Sequence, residues 1–157
     1  MTVWQLFEWS NNTAVGSAIR DSAWLFPAVE AVHLLALAVL GGTILVVDLR
    51  LAGLGLRRQS AAEVARDVQP WMVGSLVLML ASGALLFSSE AVKCYDNGAF
   101  WIKMFFLLAA IVFTFTVRRW ATTNEGRVAV AGGRVVAAVS LLLWLGVGVG
   151  GRGIGFY

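Results

Sequence analysis

EAVHLLALAVLGG, residues 30–42, carries a glutamate and the only histidine of the chain within an otherwise apolar run. Glu30 and His33 are spaced i, i+3, so a helix sets them on one face, one turn apart. The run extends from Trp24 to Val47, and Glu30 is its only acidic or basic residue besides His33. As a helix it is long enough to cross about 30 Å of hydrocarbon. Ionisable side chains in hydrocarbon are costly and turn toward protein or a wet cavity. The stretch therefore predicts a membrane helix with a polar inner face.

Composition agrees. Of 157 residues, 59% are hydrophobic and 13% charged, and the mean hydropathy is +0.80. A soluble domain of this size cannot bury so much apolar surface, and the lipid bilayer is the expected partner. The 17 Gly and 7 Trp suit transmembrane helices and their interfacial anchors. A net charge of +3 gives no reason to expect nucleic acid as a partner. Cys94 is the single cysteine, so no intrachain disulfide can form. The first twenty residues lack a basic segment followed by a long apolar one, and no cleaved signal peptide is expected.

Four spans are expected at about 24–47, 70–87, 100–117 and 135–150, within a single membrane domain over 1–157. Pro70 is expected to open the second, where a missing amide proton costs least. Residues 3–20, with Trp4, Phe7 and Trp9 among polar neighbours, read as an interfacial amphipathic helix. The fold class is thus all-α, an integral membrane four-helix bundle. Arg50, Arg57, Arg58 and Arg66 follow the first span, and Arg118, Arg119, Arg127 and Arg134 follow the third. The other side has Arg20, Lys93, Lys103 and Arg152. This bias puts both arginine-rich connections in the cytoplasm and both termini outside.

Helical spacing predicts which faces look inward. Glu30, His33, Leu37, Gly41 and Asp48 form one stripe; Met72, Ser75, Met79, Ser82 and Gly83 form another. Lys103 aligns with Ala110 and Thr114. The fourth span offers Ser140 and a glycine ladder, Gly146 and Gly150, suited to close helix contact. His33 lies roughly 13 Å below Trp24 and Met79 about 12 Å below Phe87, so the two share a level in the outer half. Asp48 stands alone at the other end.

Three readings follow. Haem b would take His33 as axial ligand, alone or with Met79, Lys103 or a second His33 from a partner subunit. Gly41 and Gly83 would admit the flat macrocycle, Lys103 or arginines could meet its propionates, and Lys103 and Glu30 would set the imidazole tautomer or meet a propionate. Copper would draw on Met72, Met79, Met104, Cys94 and His33, although Met72 and Met79, about 10 Å apart along a helix, cannot share one ion. Alternatively Glu30, His33 and Lys103 neutralise one another and fix register in a non-catalytic subunit of a homo-oligomer or larger membrane complex. In that case the glycine ladder is the contact face. Nucleotide loops, paired carboxylates and Ser-His-Asp patterns are not evident.

The segments VHLLALAVLGG, a proline-led second span ending SGALLF, and YDNGAFWIKMFFLLAAIVFTFTVRR resemble the membrane core of copper resistance protein D. The placement of His33 and Lys103 is also similar to that in the haem-containing bacterial protoporphyrinogen oxidase. More closely, the whole chain resembles a family of small uncharacterised bacterial membrane proteins. The match touches His33, Gly41, Gly42, Pro70, Gly83 and Lys103. It implies a four-helix bundle in the bacterial inner membrane and favours haem over copper, because further metal ligands of copper resistance protein D are absent.

Overall fold

The computed structural model describes residues 2–56 and 58–154, and the elements begin where polar side chains can satisfy free backbone amides. Thr2 and Gln5 form a capping box that starts α1 (Val3–Asn11). Thr13 then accepts the Gly16 amide at 3.2 Å and starts α2 (Ala14–Asp21). The single helix expected over residues 3–20 is therefore two, broken at Asn12 and Thr13. The Thr13 hydroxyl offers the backbone an alternative to helix continuation, which sequence periodicity did not weigh.

The long apolar helices are α3 (Leu25–Leu51) and α4 (Ala61–Tyr95), followed by α5 (Gly98–Phe113). A π-helical turn (Thr114–Arg118) joins α5 to α6 (Arg119–Thr123), a 3-10 turn (Glu125–Arg127) follows, and α7 (Val130–Ile154) ends the described chain. Four of these runs are long and apolar enough to cross a membrane: Leu25–Leu51, Ala61–Tyr95, Gly98–Thr123 and Val130–Ile154. Only 22–33% of their most apolar windows is buried, so the remaining apolar surface faces outward, as lipid requires. The chain is an all-α, multi-pass membrane bundle.

Each span is longer than expected, and α4 most of all. Ser60 and Glu63 form a capping box that starts it well before Pro70. Pro70 therefore sits inside the helix rather than opening it, and removes the N–H that would bond the Arg66 carbonyl. The 35 residues of α4 extend about 52 Å at the helical rise. Near its end Glu90 leaves helical geometry (φ −135°, ψ 30°) and kinks it. Arg20 braces the kink by donating from Nη1 to the carbonyls of Ser89 and Asn11, each at 3.1 Å.

Packing is uneven around the bundle. α3 lies along α4, α5 along α7, and α3 meets α7, whereas α4 and α5 meet through side chains, with the Phe87 and Phe100 rings stacked 5.6 Å apart. The main core joins Ala36, Leu40 and Ile44 of α3 to Met72 and Met79 of α4, Leu107 of α5 and Trp144 of α7. α1 and α2 pack on the far end of α4. There Phe7 is buried against the rings of Phe87, Tyr95, Phe100 and Trp101. At the opposite end Arg50 bonds Glu125 Oε1 at 2.7 Å, and Glu125 Oε2 accepts the Ala61 amide at 2.6 Å. One carboxylate thus ties α3, α4 and the 3-10 turn together. Arg57, counted with the arginine loop, lies outside the described residues.

Candidate functional site

His33 is half-buried on α3 and faces α4. Its Nδ1 lies 3.0 Å from Ser82 Oγ. Ser82 Oγ also lies 2.7 Å from the Leu78 carbonyl and 3.2 Å from the Met79 carbonyl of α4. With its one proton given to the nearer Leu78 carbonyl, Ser82 accepts from the ring, and in that tautomer Nδ1 carries the proton and Nε2 keeps its lone pair. Gly83 makes this approach possible. A Cβ there would stand 3.2 Å from His33 Cε1, closer than side chains comfortably pack.

Lys103 of α5 is half-buried and within electrostatic reach of His33 and Cys94. It forms no hydrogen bond or ion pair among the described residues. Its stem lies against α7, where a Cβ on Gly150 would stand 3.0 Å from Lys103 Cβ. Glu30 also acts on His33 electrostatically but is exposed and makes no bond to the ring. Gly41 is the clear departure from the expected stripe. It is exposed, with nothing within 4 Å of where its Cβ would be, because the inner face of α3 runs through Ala36, Leu40, Ile44 and Val47 instead. Met79 is 3% exposed and belongs to the core. Gly83 meets the imidazole directly, so α3 and α4 are in contact at this level.

The donors weighed for copper are scattered. Met72 lies by Arg118 at the other end, Met104 is exposed, and Cys94 is buried in the cluster of Phe7 and Ala91. Among the described residues no three His, Cys, Asp or Glu side chains gather as metal ligands do. The glycine ladder is spent within the chain. A Cβ on Gly146 would stand 2.5 Å from the Phe106 ring, and one on Gly150 would press on Lys103. The ladder lets α5 and α7 approach closely and is not an outward contact face.

A second polar centre escaped the sequence reading. Asp48, expected to stand alone, is 0% exposed and receives Arg118 Nε on Oδ1 at 2.7 Å. Arg118, counted as a loop cation, is 4% exposed; its Nη2 donates to the Ile44 carbonyl at 3.2 Å. Ser140 packs beside Asp48, yet neither Asp48 Oδ2 nor Ser140 Oγ closes a hydrogen bond of ordinary geometry. The π turn brings Thr114 and Arg118 inward together, and Trp144 Nε1 donates to Thr114 Oγ1 at 3.1 Å. Such turns concentrate at functional positions. The i, i+4 spacing of Thr114 and Arg118 was the available signal, obscured because Arg118 ends an apolar run beside Arg119. Against this centre opens a cleft of about 220 Å³, lined in part by Arg66, Gln69, Arg118 and Arg119. A second hollow, about 240 Å³ and almost wholly apolar, lies between α3 and α4 beside Ser82.

Residues 6–157 match the family of unknown function DUF6644. The chain belongs to that family. No curated protein and no solved structure matches it. For this DUF6644 chain the likeness to a small membrane-protein family therefore holds, while that to copper resistance protein D and to protoporphyrinogen oxidase gains no support. Function must come from the side chains themselves.

Proposed function

We propose that this DUF6644 chain holds a b-type haem through His33 Nε2 and serves membrane electron transfer or redox chemistry. The observation that carries the reading is the 3.0 Å contact of Nδ1 with the Ser82 hydroxyl, which in the Nδ1-protonated tautomer leaves Nε2 with the lone pair a metal needs. Lys103 adds to it. A half-buried ammonium without an anionic partner is suited to a haem propionate. The fit is of donor chemistry more than of volume. The two hollows, about 220 and 240 Å³, fall below the about 300–1,000 Å³ usual for ligand pockets. With one histidine per chain, a bis-histidine iron requires a second copy.

The bound iron would supply one-electron chemistry; the chain's own residues hold the ring, neutralise a propionate and exclude water. The excess of arginine at one end supports an orientation with that end in the cytoplasm and the termini outside, in a bacterial inner membrane. Expression with ample haem, followed by an absorption spectrum and metal analysis, tests the reading. A Soret band that His33→Ala abolishes is expected. A colourless preparation overturns it, and copper retained without haem would point to the other metal.

A further inference from the structure

The cleft beside the Asp48–Arg118 pair has the makings of an anion site. Its lining bears three guanidinium groups, Arg66, Arg118 and Arg119, and no carboxylate. The side chains of Arg66, Arg119 and Gln69 make no hydrogen bond or ion pair among the described residues. Glu63 lies within electrostatic range of Arg66, but its carboxylate is engaged by the amide and hydroxyl of Ser60. Arg118 forms the inner wall, nine-tenths buried, with Asp48, Ile44 and the Met72 sulfur taking three of its five N–H groups. Two remain. Thr122 and Thr123 also line the cleft, but their protons go to backbone carbonyls of their own helix, so they do not compete as donors.

The rest of the lining is apolar, from Val47, Val68, Met72 and Phe115. The cleft thus joins a cationic rim to an oily wall, between the first turns of α4 and the last turns of the third span. That is the level at which a spanning protein meets lipid headgroups. Guanidinium groups suit phosphate oxygens in geometry as well as charge. Basic pockets between membrane helices on the arginine-rich side are suited to anionic headgroups. We propose that this cleft binds the phosphate of an anionic phospholipid, with an acyl chain lying along the wall made by Met72 and Phe115. It is at the opposite end from His33 and does not depend on the haem reading.

The test uses the full chain in a neutral detergent and follows its unfolding midpoint with phosphatidylglycerol, phosphatidylcholine or inorganic phosphate added. Phosphatidylglycerol is expected to raise the midpoint by several degrees, and the two other additives to leave it nearly unchanged. The double variant Arg66→Gln, Arg119→Gln should lose most of that shift, while Arg127→Gln, an exposed position outside the cleft, should keep it. Arg118 is left intact because its loss would strand Asp48. Equal shifts with phosphatidylcholine or with phosphate alone overturn the proposal. So does an undiminished response in the double variant, or an equal loss in Arg127→Gln.

Discussion

A hydroxyl has one proton to give, and when Ser82 gives it to the α4 backbone the facing Nδ1 must be the donor. Ser82→Ala should therefore keep the fold but weaken haem retention about 10–100-fold, as loss of a ligand-orienting partner does; haem titration followed at the Soret band measures it. Undiminished affinity would remove Ser82 from the site. The pair at the other end behaves differently. Replacing Arg118 with Met leaves Asp48 buried without its cation, at a cost of about 3–5 kcal/mol. Asp48→Leu added to Arg118→Met should recover most of that loss in a denaturation series. His33, Ser82 and Lys103 were legible as single residues because each interrupts an apolar run. The Asp48–Arg118 bond was not, since it joins residues 70 positions apart through a π turn. A period of 3.6 does not contain that extra width.

Among the helices, α7 shows how glycine spacing is to be read. Gly146 meets the Phe106 ring, while nothing lies within 4 Å of the corresponding position at Gly148. Gly146→Leu should consequently lower the unfolding midpoint sharply, and Gly148→Leu should change it little. Equal effects would deny the α5–α7 seam its importance. The sequence shows that the glycines favour close approach but not to which neighbour, because that depends on which helices become partners. Spans were recognisable from hydropathy alone. Their ends were not, because Ser60 with Glu63 and Thr13 act through local hydrogen bonds that periodicity overlooks. Gly41 was misplaced for a related reason: its spacing from His33 suggested a shared face, but the contact with α4 follows Ala36, Leu40 and Ile44.

For the molecule as a whole, charge asymmetry makes a topological claim. With Cys94 changed to alanine, a membrane-impermeant maleimide applied to spheroplasts should label Asn12→Cys but not Arg127→Cys until the membrane is opened. The reverse pattern would invert the orientation. Six tryptophans are at least 39% exposed, all but Trp71 near helix ends, whereas Trp144 is 8% exposed in the core. The architecture also links its two ends mechanically. Ser82 and Gly83, which hold the imidazole, and Ala65 and Gln69, which line the arginine cleft, ride on one continuous rod about 26 Å apart from Ser82 to Ala65. A tilt of α4 wide enough to admit a bulky prosthetic group near the roof would swing its lower arm past the π turn. Loading one end would reshape the mouth at the other.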